Sequence, residues 1–328
     1  MKASMRTAAL ALALAGLQMT PAHAQVEISI GHTLNPESHY HVGASKFKEL
    51  VEQRTNGQVK VTLFPQGQLG GEVRMLQSAR SGAIGGVVTA SAPLENTVPE
   101  FAILSAPYLF KDLDEANRIL QGDVGTHFLN YLPARGLIGL GFVSAIERNI
   151  YTSKKPIKNM ADMTNLKLRV IQSPAYVDAY QAFGSQPTPM AYAEVYLAMQ
   201  NGVVDGAENS PDTMIMDRFV EVSKYYNMTK THYMPALIVM SKIRFDALTK
   251  EQQEIVRQAA KEAIPAAIDA YLRTYDESMV KIKAAKVEIV ETDTTAFVKA
   301  TAPLRDKMVG QTPDGAKNMK LIEAAKAK

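Results

Sequence analysis

Arg169 and Arg148 are the residues best suited to holding a small anion. Arg169 sits in Leu166-Lys167-Leu168-Arg169-Val170-Ile171. Alternate residues of a strand share a face, so Leu166, Leu168 and Val170 point one way and Arg169 the other. Ser173-Pro174 ends the run, and open α/β sheets hold ligands beyond the carboxyl ends of their strands. A guanidinium placed there can grip a carboxylate through two parallel hydrogen bonds; the alternative is a solvated charge. Arg148 lies in Glu147-Arg148-Asn149, between the apolar run 137–143 and Ile150-Tyr151-Thr152. It reads as a second clamp or as a partner of Glu147. Asn209 lies among short polar side chains in Asp205-Gly206-Ala207-Glu208-Asn209-Ser210-Pro211. It reads either as a ligand contact or as an Asx turn ahead of Pro211.

Catalytic motifs are missing. The sequence has no G-x-S-x-G elbow, no Walker loop and no H-E-x-x-H, so no nucleophile-and-base pair or zinc helix is named by motif. Gly139-Leu140-Gly141 lacks the third glycine of a dinucleotide fingerprint, and Gly82, Gly85 and Gly86 read as turn residues around a strand. His39 and His41 flank Tyr40, but residues two apart on a helix face different ways, which argues against a shared metal. His127 reads as a core or surface histidine. Zero cysteines exclude disulfides, thiolate zinc sites, iron–sulfur clusters and cysteine nucleophiles. A formal charge of +3 without a basic patch does not suit a nucleic-acid binder. No cofactor and no metal are expected.

These residues need a scaffold, and the elements alternate. Strand-like runs at 26–31, 59–64, 84–89, 137–143 and 166–171 are separated by helical spacing at 40–55, 72–81, 113–120, 125–132 and 193–201. Such a rhythm predicts an α/β fold with mostly parallel pairing. Thr249 with Gln252 reads as a capping box. Helical spacing then runs to about Ala285 with Pro265 inside it; this is one long helix kinked at the proline or two helices meeting there. The N-terminus reads as a secretory signal. Lys2 and Arg6 precede a short apolar run, and Ala22-His23-Ala24 is a cleavage site before Gln25. No later run is long and apolar enough to enter a membrane. Without a cysteine to carry lipid, the chain is expected to be soluble in the periplasm.

The sequence resembles the substrate-binding proteins of tripartite ATP-independent periplasmic (TRAP) transporters, the DctP family, over essentially its whole exported length. The resemblance rests on Pro65-Gln66-Gly67-Gln68-Leu69-Gly70, on Met160-Ala161-Asp162-Met163 leading into the Arg169 strand, on Pro187-Thr188-Pro189-Met190-Ala191 with Glu194-Val195-Tyr196, and on 202–211. In the last piece Ser210 stands before the proline where the family runs directly from asparagine to proline. The resemblance implies a two-lobed periplasmic binding protein of the type II kind, with mixed sheets flanked by helices and a long kinked helix spanning both lobes. Placed on this chain, residues 1–24 are the signal, 25–147 with 237–274 form lobe I, and 148–236 with 275–328 form lobe II. It also implies that Arg169 pairs with a substrate carboxylate, with Arg148 and Asn209 assisting. Tyr192 falls where an aromatic lines the cleft and His232 near the hinge. The implied partners are a small carboxylate ligand and a membrane permease, with the receptor itself a monomer.

Specificity is expected from the N-terminal lobe, through His32 and Thr33, residues 37–41 with His39, Glu72, and residues 89–93 with Thr89. Members that bind sialic acid carry a glutamate and an arginine around Ser-Ala; Ala90-Ser91-Ala92-Pro93 has neither. A carboxylate at Glu72 repels a second carboxylate and accepts hydrogen bonds from hydroxyls, so a sugar acid such as a uronate or an aldonate fits best. If Glu72 faces solvent, a C4-dicarboxylate or 2-oxo acid becomes the main rival. A periplasmic sugar-acid enzyme and a ligand-sensing partner of a signalling protein are the alternatives to a transport receptor.

Overall fold

The structure is a computed structural model that describes residues 25–327; the signal assigned to 1–24 lies outside the described residues. Nine strands make one sheet: β1 (Val26–Gly31), β2 (Val59–Phe64), β3 (Gly86–Ala90), β4 (Leu137–Thr152), β5 (Lys167–Val170), β6 (Gln186–Pro189), β7 (Gly206–Asn209), β8 (Tyr225–Ser241) and β9 (Glu288–Glu291). Their order is β2-β1-β3-β8-β4-β7-β5-β6, with β9 beside β8. The predicted strands β1, β2 and β3 pair in parallel, and β5 pairs in parallel with β6 and β7, two short strands that the periodicity did not single out. The sheet as a whole is mixed, because β4 and β8 run antiparallel to each other, β4 antiparallel to β7 and β8 antiparallel to β3, while β8 pairs with β9 in parallel.

Those two strands are also longer than their sequences suggest. The apolar run at 137–143 is only the first half of β4, which continues to Thr152 through register shifts at 139/141, 142/144 and 148/150. Such bulges bend a strand and increase its twist without ending it. Gly141 occupies the first of them at φ +153°, and a Cβ there would meet the Ile264 side chain at 2.6 Å. Strand β8 shows no clean alternation, because Thr229, Lys230, Thr231 and His232 interrupt it and Pro235 reads as a breaker.

The helix Lys250–Ala284 is continuous through Pro265 and opens on the Thr249–Gln252 capping box. Three clusters of buried side chains take one part of it each. Val256 and Ala263 pack with Ile28, Phe47 and Val61; Tyr271 joins the largest cluster with Phe128, Leu168 and Phe297; Ile282 packs with Tyr151, Phe219 and Tyr226. One helix therefore ties the β1-β2-β3 end of the sheet to its β7-β9 end. At the C-terminus the helix Gly315–Lys326 returns to Asp123–Leu129, where His127 Nε2 meets Asn318 Oδ1 at 2.8 Å. His127 is thus a structural histidine. Among the described residues no helix is long and apolar enough to cross a membrane.

Candidate ligand-binding site

The ends of β3, β5 and β7, the middle of β4 and β8, the loop after β1 and the nearby helix starts line a small cavity that opens to solvent. Its polar lining is Thr33, Tyr40, Glu72, Arg148, Arg169, Tyr192 and Asn209, and its apolar lining includes Leu34, Ile146, Ile171 and Met234. Of the ten residues singled out in the sequence, Arg148, Arg169, Asn209, Glu72, Thr33 and Tyr192 line this cavity, and His32, His39, Thr89 and His232 do not.

Arg169 comes from β5 and is buried. Nε and Nη2 donate to the Met190 carbonyl at 3.1 and 2.8 Å. The guanidinium carbon lies 5.9 Å from the Tyr192 ring centroid, within range of an attraction between a cation and a ring face. Among the described residues Arg169 makes no ion pair. Burial pulls its pKa below the ordinary guanidinium value, and Glu208 opposes that from a distance.

Arg148 is equally buried but already neutralised. Its Nε donates to the Glu208 carboxylate, its Nη2 to the Glu208 carbonyl at 2.7 Å and its Nη1 to Asn209 Oδ1 at 3.0 Å. Burial opposes its charge, yet Glu208 outweighs this and raises its pKa. The partner is therefore Glu208 and not Glu147, because neighbours on a strand point to opposite faces. Glu147 instead accepts from Asn149 Nδ2 and from the Tyr275 hydroxyl. Glu208 stood in the same short motif as Asn209, and the β4–β7 register, which pairs Asn149 with Asn209 and Ile150 with Glu208, is what brings it to Arg148.

Asn209 combines both of its readings. Oδ1 accepts from Arg148 and from the Ser210 amide at 2.9 Å, a local turn; among the described residues no partner takes the two Nδ2 protons. Glu72 opens the helix Glu72–Arg80. Its Oε1 accepts from Ala90 N at 2.8 Å and Thr89 Oγ1 at 3.1 Å. The side chain lines the cavity and is partly exposed. Burial raises its pKa, while the bonds from Ala90 and Thr89 and the charges of Arg169 and Arg148 pull it back. Tyr192 presents its ring to Arg169 and donates its hydroxyl to Asp217 at 2.5 Å.

The remaining four stand behind the lining, each engaged elsewhere. Thr89 is buried beneath Glu72. His32 Nε2 lies 3.0 Å from His41 Nδ1, and burial with two neighbouring histidines holds its pKa near 3. His39 Nδ1 lies 3.4 Å from Asp212 Oδ2, with both side chains fully buried. His39 and His41 therefore diverge to different partners. His232 faces Arg148 across the β4–β8 ladder and stacks on Tyr176, with centroids 4.1 Å apart. Burial and Arg148 hold its pKa at about 3, so it is a neutral flat packing surface. Leu34, Ile146, Ile171 and Met234 were not singled out beforehand; apolar residues on strands and their flanks look like core until the elements converge.

Residues 30–312 match the family described as bacterial extracellular solute-binding protein, family 7 (DctP). The 2,3-diketo-L-gulonate-binding periplasmic protein of Escherichia coli K12 is 31% identical over 97% of this chain and 98% of its own. A TRAP periplasmic solute-binding protein from Polaromonas sp. JS666, bound to D-erythronate, superposes with a TM-score of 0.89 at 34% identity, covering 92% of this chain and 100% of that one. A second, from Sulfitobacter sp. NAS-14.1 with bound β-D-galacturonate, does so with a TM-score of 0.88 at 31% identity, covering 91% and 99%. The mixed sheet and the long helix are those of this fold, and the work of its members is to bind small carboxylates for a membrane permease. The chain belongs to the DctP family of extracellular solute-binding proteins, the receptors of TRAP transporters.

Proposed function

We propose that this receptor captures a monoanionic sugar acid, a uronate or an aldonate, in the periplasm and hands it to a TRAP permease. The observation that carries the reading is Arg169: a buried guanidinium on the cavity wall whose only acceptor among the described residues is the Met190 carbonyl. An unpaired buried charge is costly, and a ligand carboxylate supplies the missing partner. Glu72 selects what else the ligand carries. Its second oxygen accepts from hydroxyls and repels another carboxylate. Asn209 donates its free amide protons, and Thr33 adds a hydroxyl. Arg148, bound to Glu208, shapes the positive wall and holds Asn209.

In this reading lobe I (25–147 and 237–274) and lobe II (148–236 and 275–328) close over the acid, exclude water and strengthen the ion pair. The protein acts as a monomer and releases the acid chemically unchanged. The test is a thermal-shift screen of D-glucuronate, D-galacturonate, D-galactonate, D-erythronate, succinate and pyruvate. A ligand at about 100 times its dissociation constant adds about 2.7 kcal/mol. A sugar acid is expected to raise the melting temperature of wild type and not of Arg169→Ala. A shift from succinate or pyruvate alone overturns the sugar-acid reading, and wild-type binding by Arg169→Ala overturns the carboxylate clamp.

A further inference from the structure

Glu95 is a buried acid outside the cavity lining. It follows the short helix Ser91–Leu94, on the β3 side of the cavity. Its carboxylate receives the Ser105 hydroxyl on one oxygen, and on the other the Ser173 hydroxyl at 2.8 Å and the Ala175 amide at 3.4 Å. Ser173 and Ala175 begin the helix Pro174–Ala182, which follows β5. The neighbouring Asn96 adds a second tie, from Nδ2 to the Gln172 carbonyl at 2.9 Å. Two consecutive side chains from one side of the cavity thus hold three positions just past the strand end that carries Arg169 and Ile171. In the two-lobed division proposed above, 95 and 96 belong to lobe I and 172, 173 and 175 to lobe II.

We propose that Glu95 is an interlobe latch: it positions the Arg169 strand end against the opposite lobe and holds the cavity shut around a bound acid. This rests on the receptor reading. Closure takes Glu95 out of water, and burial holds its pKa at about 7, against the lowering pull of its three donors. Tyr176, His232 and Arg148 beside it do not titrate in that range. Tyr176, on the capped helix, is pushed far above 10, and His232, stacked on Tyr176, is held near 3. The Arg148 guanidinium, 6.0 Å from the Tyr176 ring centroid, stays charged. On the Ser105 side, Glu100 faces Arg135 at 3.7 Å. The sign follows from linkage. A carboxyl with a raised pKa in the closed form favours closure below its free pKa of about 4.5, and that advantage fades as pH rises through 7. Closing around ligand therefore takes up a proton at Glu95 in this window.

The test is calorimetric titration of wild type, Glu95→Gln and Glu95→Ala with each of D-glucuronate, D-galacturonate, D-galactonate and D-erythronate, between pH 5 and 8, in buffers of different ionisation heat. Wild type is expected to take up protons on binding near pH 6. Glu95→Gln, a neutral near-isostere, is expected to keep its affinity at low pH and lose the part of the uptake that Glu95 supplies; any uptake at Glu72 or Asp217 persists in both. Glu95→Ala is expected to bind about tenfold more weakly. If Glu95→Ala does not fold, the glutamine variant still decides. Wild type that binds while both variants match its affinity and its proton uptake overturns the latch alone. Wild type that binds none of these acids overturns the receptor reading and the latch with it.

Discussion

Arg148 and Arg169 are two guanidiniums in one cavity, buried to the same 2% exposure, and they are opposites. Arg148 carries its counter-ion within the chain, as Glu208, and spends its other donors on a carbonyl and on Asn209. Arg169 has one carbonyl and a tyrosine ring face. The first is a completed interaction that builds the wall; the second is an incomplete one that, in the proposed function, an anionic ligand completes. The difference separates stability from binding: damage to Arg148 should appear without ligand, and damage to Arg169 only with it.

The largest expected effect is on the completed pair. Glu208→Ala leaves the Arg148 charge buried and unpaired, so the ligand-free protein should lose about 3–5 kcal/mol of unfolding free energy in a urea titration. A ligand-free variant as stable as wild type would dissolve the distinction. Arg169→Ala comes next. It removes a charge that has no partner in the free protein, so the same titration should change little. Affinity for the sugar acid should fall by about 2–5 kcal/mol, or about thirtyfold and more, as measured by calorimetry. Glu72→Gln follows, at about tenfold for the sugar acid. It should also admit succinate better than wild type does, since the repelling charge is gone. Equal succinate affinity in the two proteins would remove Glu72 from the selection.

The same contrast explains what could be read beforehand. Arg169 was legible because β5 is short, alternating and followed by Ser173-Pro174. Periodicity also placed β1, β2 and the cap and extent of the long helix, since those signals are local, but left open whether Pro265 divides it into two. The completed pair was not legible. Arg148 has Glu147 beside it in sequence, and only the β4–β7 register, set over a gap of sixty residues, makes Glu208 its partner. His32, His39 and His232 looked like ligand residues by type. Each is instead held by a distant group, His41, Asp212 or Tyr176, whose proximity is tertiary. Periodicity alone predicted mostly parallel pairing, and only the family resemblance implied mixed sheets, because β8 pairs with three strands from all parts of the chain.

The smallest effect should come from Tyr192, which tests how the incomplete arginine is kept ready. Its ring faces Arg169 and its hydroxyl binds Asp217. Tyr192→Phe keeps the ring and removes only the hydroxyl, so ligand affinity should drop less than about threefold. Tyr192→Leu also removes the ring face and should cost about 0.5–2 kcal/mol of binding. The hydroxyl has its own signature in pH. Burial raises the Asp217 pKa to about 6, the Tyr192 bond lowers it, and nearby Asp212 raises it. A raised acid contributes stability that is whole below about pH 4 and is lost as pH rises through 6. In Tyr192→Phe the lowering bond is gone, so the Asp217 pKa should climb and the loss should extend to higher pH. Urea midpoints measured at intervals from pH 4 to 8 should show the two proteins converging at the acid end and the variant falling away above pH 6. Parallel curves would mean that the hydroxyl does not govern Asp217, and the ring face alone would then remain as Tyr192's link to Arg169.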